Sequence, residues 1–423
     1  MNDQPCATPA ASCCDDHDPR SLSCEEALRR ILAGVQPVAA IETLELRQAL
    51  DRVLAVDFVS RIDVPSHVNS AMDGYALRGA DLPPAGDTVL NLIGTALAGR
   101  PYAGNVGAGE CVRIMTGAPM PAGTDTVVIQ ELVDRQGDSV RIDARTRPGD
   151  NVRAAGEDIA AGVTILHAGR RLTAADLGLI ASQGVGRVAV YRRLRVAFFS
   201  TGDELKPIGE PLAPGDVHDS NRYTLFGMLS RLGCELTDLG IVADDREATR
   251  RAFERAAKGH DAVITSGGVS VGEADFVKET LDAIGTVNFW KIAIKPGRPL
   301  TFGRLGDAVF FGLPGNPVSV MVTFYQFVQP ALRRMMGDTE ITPLRLRAVC
   351  ASTLKKRPGR VEFQRGVLET TADGQLAVRK TGMQGSGILT SMSQANCFIV
   401  LPMESTGAEP GALVDVQPFA GLI

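Results

Sequence analysis

What this chain has little of limits what it can be. Its 423 residues hold one tryptophan and five histidines. His67, His167, His218 and His260 show no metal-type pairing, so neither a histidine metal centre nor a nucleophilic triad is expected. The 44 basic residues do not outnumber the 49 acidic ones and form no run, so nothing tracks a phosphate backbone and no nucleic-acid partner is expected. Apolar runs such as Val318 to Phe324 fall far short of the roughly 20 residues of a membrane span. The N-terminus, MNDQPCATPAASCCDDHD, lacks the basic start and apolar stretch of a secretory signal. The expectation is a cytoplasmic protein without membrane association.

Cysteine is also sparse for a disulfide scaffold, with eight residues spread over a long chain. Cys6, Cys13, Cys14 and Cys24, with His17, could be read as a metal site, but no CxxC pair has zinc-ligand spacing, and a plain tail fits the composition better. Cys111, Cys234, Cys350 and Cys397 lie in or beside strand-like runs and read as packing residues.

What is present is a multidomain α/β and β pattern. Length allows about two to four domains. After a tail over 1–21, order begins at Ser23, where Ser23 and Glu26 form a capping box ahead of a helix closed by Gly34. Residues 62–153 carry short alternating runs between turns, such as Thr88 to Ile93 and Thr126 to Leu132, which predict an inserted β-rich domain. The flanks, 22–61 plus 154–190, would form an N-terminal linking or dimerisation domain. Residues 191–337 alternate strand-length apolar runs with helical patterns, which predicts a three-layer α/β domain with a mostly parallel sheet. Its strands would be Arg195 to Phe199, Glu235 to Val242, Ala262 to Thr265 and Ala308 to Phe311. Its helices would be Arg222 to Leu232, Arg246 to Ala257, Phe276 to Ile284 and a buried Val318 to Met335. Residues 338–423 return to short strands, with turns at Pro358-Gly359 and Asp373-Gly374, and predict a small β domain.

Ligands of open α/β sheets bind beyond the carboxyl ends of the strands, and here each such loop is chemically loaded. They read Ser200-Thr201-Gly202-Asp203-Glu204, Asp244-Asp245, Ser266 to Asp275 (SGGVSVGEAD) and Gly312 to Pro317 (GLPGNP). In the third, Gly267 and Gly268 let the backbone approach a ligand, Ser266 and Ser270 add hydroxyls, and a helix begins just after, which suits an anion such as phosphate. Glu204, Asp244 and Asp275 would repel that anion unless a divalent cation lay between them, and Mg²⁺ with oxygen ligands is the natural bridge. Lys291, Lys295 and Arg298, in WKIAIKPGR, supply fixed positive charge for an oxyanion. Taken singly, each feature could be a turn, a helix cap or a solvated lysine. Together, at four successive strand ends, they predict a site.

Outside that domain, NSAMDGYA at 69–76 and IMTGAPMP at 114–121 are small, polar loops of the kind where ligand contacts concentrate. With AGED, STGDEL, SGGVSVGEAD, WKIAIKPGRP, GLPGNPVS, GRVEFQRG and QGSGILTSMSQANC in one order, these motifs make the chain from about residue 22 to 423 resemble the molybdopterin molybdenumtransferase family, the bacterial MoeA proteins and the E domain of gephyrin. The resemblance implies an elongated four-domain homodimer, a C-terminal β-barrel and a site lying between subunits. It implies functional acids at Asp73, Asp158, Glu204, Asp244 and Asp275, hydroxyls at Thr116 and Ser386, basic partners at Lys291, Lys295 and Arg365, and cleft-shaping prolines at Pro314 and Pro317. The implied reaction takes molybdate and adenylyl-molybdopterin as substrates, hydrolyses the adenylate with Mg²⁺ as cofactor, and leaves molybdenum on the dithiolene with release of AMP. A molybdopterin adenylyltransferase would be the partner upstream, and molybdoenzymes or their chaperones the acceptors downstream. Two alternatives stand beside it: adenylylation of molybdopterin itself, and a non-catalytic pterin-binding scaffold.

Overall fold

The chain was studied as a computed structural model in which residues 21–267 and 275–419 are described. Contacts divide it into two compact units, one made of Met1–Glu42, Asp51–Val53 and Val190–Ile423, the other of Thr43–Leu50 and Leu54–Ala189.

The first unit is built on a six-stranded sheet. Its strands are β1 Arg195–Thr201, β2 Glu235–Val242, β3 Ala262–Ser266, β4 Gly285–Lys291, β5 Pro299–Leu305 and β6 Ala308–Leu313, in the spatial order β2-β1-β3-β6-β5-β4. β2, β1, β3 and β6 run parallel, and β5 and β4 add an antiparallel edge. β1, β3 and β6 are buried on both faces, which is why they read as unbroken apolar runs such as Ala262-Val263-Ile264, whereas β2 at the edge is only partly covered. The chain leaves β1 for β2 on one side and returns to β3 on the other, so β1 and β3 flank a topological switch point where ligands bind in such sheets.

Helices α1 Ser220–Leu232, α2 Arg246–Ala257, α3 Asp275–Ile284 and α4 Pro317–Thr323 follow the strands. α1 is capped by Asp219 and stopped by Gly233, whose φ of 83° suits a residue without Cβ. α4 continues through a widened turn, Phe324–Val328, into α5 Gln329–Met335, and the whole run packs into the core with Phe311, Leu225 and Leu229. The N-terminal helix Cys24–Ala33 buries Ala27 and Ile31 in that same core. Ser23 caps it by accepting the Glu26 N–H, but the Glu26 carboxylate turns to Arg29 and Arg30, so only half of the expected capping box forms. Gly34 does follow the helix, in an ordinary right-handed conformation.

In the same unit, strands Val361–Thr370, Leu376–Lys380, Leu346–Cys350, Leu413–Pro418 and Cys397–Leu401 close on themselves as a five-stranded barrel, since the first also pairs with the last. Ile294–Lys295, from the segment between β4 and β5, pairs parallel with Val361 and Glu362 and so joins barrel and α/β body.

The second unit centres on another six-stranded sheet, in the order Thr126–Ile129, Gly74–Leu77, Glu110–Ile114, Asp87–Ala96, Ser139–Asp143, Val133–Gln136. Its core includes Tyr75, Leu77, Leu90, Val128 and Ile142 on one face and Ala76, Val112, Ile114 and Val127 on the other. Cys111 here, and Cys350 and Cys397 in the barrel, are fully buried, and burial pushes the Cys111 and Cys397 thiols up to about 12, as packing residues require. Among the described residues no helix is long and apolar enough to cross a membrane.

Candidate active site

The loops after β1 and β2 bring three acids together. Gly202, at φ 146°, opens the turn, and the Glu204 carboxylate folds back over it so closely that a Cβ there would lie 2.5 Å from Oε2. Asp203 Oδ1 accepts the Asp244 N–H at 3.1 Å. Partial burial pushes the Asp244 carboxyl above its ordinary range, and the negative charges of Asp203 and Glu204 push it further. Glu204 and Asp244, expected to act together, do meet. Asp203 joins them, although it stood in the same motif without being singled out. Asp275 begins α3, but its side chain lies outside the described residues. Among the described residues no three His, Cys, Asp or Glu groups form a ready metal cage. The donor set is nonetheless hard oxygen under mutual repulsion. That suits a cation such as Mg²⁺, which takes one or two carboxylates and completes its shell with water and substrate phosphate.

Beside the acids, β3 ends at Ser266 and Gly267 follows it. Gly267 sits at φ 89°, and a Cβ on it would lie 2.3 Å from the Thr201 carbonyl oxygen, so the loop crosses the end of β1 with no space for a side chain. Gly268 and Ser270 lie outside the described residues. The loop after β6 faces this turn: Gly267 N–H donates to Leu313 O, and Ser266 Oγ reaches Pro314 O at 3.4 Å. Pro317 opens α4, where the Val318 N–H donates to Ser386 O at 3.0 Å, so the loop bearing Ser386 rests on the loop bearing Pro314.

The basic residues divide by environment. Lys291 ends β4 and is half-buried, as is Arg298, whose carbonyl accepts the Ile292 N–H. Lys295 is about half exposed, and its Nζ stands 3.6 Å from the buried Glu362 carboxylate. Arg365 is different, being only 1% exposed. Its guanidinium donates to Ser391 Oγ and Gly385 O, each at 3.0 Å, and burial lowers it to about 10. It therefore anchors the loop that carries Ser386 and reaches the site through that loop.

In the second unit, the two loops singled out by composition are hydrogen-bonded to each other. The Asp73 carboxylate accepts the Thr116 N–H at 2.7 Å and its hydroxyl at 2.8 Å, and these bonds hold the acid below the usual carboxylate range. Ser70 N–H donates to Ala118 O and Gly117 N–H to Ser70 O. Asp158 is exposed in this unit, with its N–H donated to Val64 O.

Sequence reasoning missed Asp219 and Asn221, which fasten the start of α1 to the strand ends. The one signal was Asp219 as a helix N-cap ahead of Arg222 to Leu232.

Comparison with known proteins places the chain among relatives of one kind. The family description "MoeA N-terminal region (domain I and II)" matches residues 22–184, "Probable molybdopterin binding domain" matches 197–334, and "MoeA C-terminal region (domain IV)" matches 347–419. A molybdopterin molybdenumtransferase of Haemophilus influenzae is 43% identical over 404 residues, covering 95% of this chain and all of its relative. One from Nostoc is 36% identical, covering 88% of this chain and 87% of its own. Among solved structures, a molybdopterin biosynthesis moeA protein from Pyrococcus horikoshii superposes with a TM-score of 0.82 at 29% identity, covering 94% of this chain and 100% of that one.

Proposed function

The chain belongs to the molybdopterin molybdenumtransferase family, and from that premise we propose that it inserts molybdenum from molybdate into adenylyl-molybdopterin, with Mg²⁺-dependent cleavage of the adenylate and release of AMP. The observation that carries the reading is the Asp203, Glu204 and Asp244 cluster at the carboxyl ends of β1 and β2, where Asp203 Oδ1 accepts the Asp244 N–H and where burial first, and then the charges of Asp203 and Glu204, raise the Asp244 carboxyl. Glu204 and Asp244, joined by Asp275 at the start of α3, would hold Mg²⁺, which supplies charge neutralisation at the phosphate link when bound.

The remaining steps fall to the chain. Ser266, Gly267, Gly268 and Ser270 would cradle the phosphate at the end of β3, where a backbone without side chains can approach it. Lys291, Lys295 and Arg298 would gather molybdate and phosphate and stabilise the charge that develops on the departing AMP. Pro314 and Pro317 shape the opposing loop. Arg365 sets Ser386 against it from behind. Asp73, Thr116 and Asp158 would bind substrate, and the chain would act as a homodimer. The chain would work in the cytoplasm, taking product from a molybdopterin adenylyltransferase and passing cofactor to molybdoenzymes or their chaperones. The matched regions on both sides of the molybdopterin-binding domain speak against the adenylylation reaction for this chain.

The test is AMP release from purified adenylyl-molybdopterin. Release that needs both molybdate and Mg²⁺, without ATP, is expected. Consumption of ATP, or no turnover with tight pterin binding, would replace this reading with adenylylation or a scaffold.

A further inference from the structure

Helix α1 does more than cover the sheet. Asp219 and Asn221, at and just inside its N-terminus, are 2% and 8% exposed. Asp219 Oδ1 accepts the Ser200 hydroxyl at 3.0 Å and the Arg222 N–H at 3.1 Å. Asn221 Nδ2 donates to Ser266 Oγ at 2.8 Å and to Gly315 O at 2.6 Å. Ser200 is near the end of β1, Ser266 ends β3, and Gly315 lies in the loop after β6. One helix terminus thus fastens the carboxyl ends of three neighbouring parallel strands.

Packing alone does not call for this. The inner face of α1 already buries Leu225, Met228, Leu229 and Leu232. A buried amide is costly unless paired. Asn221 spends both donors on the two loops and leaves its own Oδ1 buried without a hydrogen-bond partner, as Asp219 leaves Oδ2, which stands 3.9 Å from Arg222 Nε. The amide is therefore oriented by what it holds together.

We propose that Asn221 is a positioning residue, whose amide sets the spacing between the Ser266-Gly267 turn and the Pro314-Gly315-Asn316 turn so that both face one phosphate-bearing ligand. This rests on the function proposed above. Without the amide only the longer Gly267 N–H to Leu313 O and Ser266 Oγ to Pro314 O bonds join the two turns, so their spacing loosens and the ligand is held in poorer register.

Full-length wild type, Asn221→Ala and the isosteric Asn221→Asp are compared for kcat and KM of AMP release between pH 6 and 8, and for amide hydrogen exchange over 262–267 and 313–318. Asn221→Ala should lose about 10- to 100-fold in kcat/KM, chiefly in kcat, and exchange at least about 10-fold faster in both segments. Asn221→Asp cannot donate when ionised, but its carboxyl, pressed by burial and the Gly315 carbonyl, takes up a proton as pH falls. Its activity relative to wild type should therefore recover several-fold from pH 8 to pH 6, which a packing role would not produce. Should Asn221→Ala fail to fold, Asn221→Asp carries the test. A pH-independent ratio near one with unchanged exchange overturns the proposal. If wild type releases no AMP, the functional reading fails, and hydrogen exchange alone still decides whether the clamp exists.

Discussion

Two aspartates, one in each unit, are pushed in opposite directions. Asp73 is held below the usual carboxylate range because Thr116 gives it two hydrogen bonds, whereas Asp244 is raised by burial and by Asp203 and Glu204. The first is satisfied within the chain and fixes two loops against each other. The second has charge of its own sign beside it, from Asp203 and Glu204. An acid that the fold itself completes serves geometry. An acid that the fold leaves in repulsion is prepared for a cation.

The largest expected effect breaks the comparison on the side of Asp244. Asp244→Ala or Glu204→Ala should lower kcat for AMP release by about 100-fold or more, as loss of charge stabilisation at a phosphate link does. Asp73→Ala should act mainly on KM, which steady-state kinetics on the three proteins would separate.

Next comes Arg365, a buried charge completed internally like Asp73. Arg365→Met should cost about 2–3 kcal/mol by leaving Gly385 O and Ser391 Oγ without their donor, as seen in denaturant melts. Activity of the folded fraction should fall as well, because the Ser386 loop loosens.

A smaller effect sharpens the contrast. Mg²⁺ should raise the thermal midpoint of the wild type by relieving the acids after β1 and β2, and this shift should vanish in Asp244→Asn. In the absence of cation that variant should melt slightly higher than wild type at neutral pH. The sign follows from linkage: a raised carboxyl pKa leaves the folded state unpenalised below the ordinary range and penalised above it, so the difference should disappear below about pH 4. The smallest effect is on Asp73, where a depressed pKa gives stability that is present above the ordinary range and lost as pH falls through the lowered value. Asp73→Ala should remove that acid-side loss and speed exchange of the Thr116 amide.

How much of this was legible in the sequence depends on how each part is encoded. The parallel strands β1, β3 and β6 were legible because burial on both faces leaves apolar runs that turns and helices bracket, as at Ala262 to Ser266. The antiparallel pair β4 and β5 was not, since Lys291, Pro296 and Gly297 interrupt it and its pairing depends on a neighbour formed later in the chain. Glu204 and Asp244 were legible because strand ends gather whatever their loops carry. Arg365 was legible as a basic residue but not as a buried anchor, because arginine is so seldom buried that residue type argues the other way. Asn221 carried no signal, since a polar residue in the first turn of a helix ordinarily faces water. Only the three-dimensional convergence of Ser266 and Gly315 gives it a role.

Whether the acids after β1 and β2 form a cation site serving adenylate cleavage is decided by molybdate-dependent AMP release as a function of Mg²⁺ concentration in wild type and Asp244→Asn. A cation site there should give saturable activation in the wild type and a curve displaced to at least about 10-fold higher Mg²⁺, or flattened, in the variant. Superimposable curves, or full release in the presence of chelator, would contradict it.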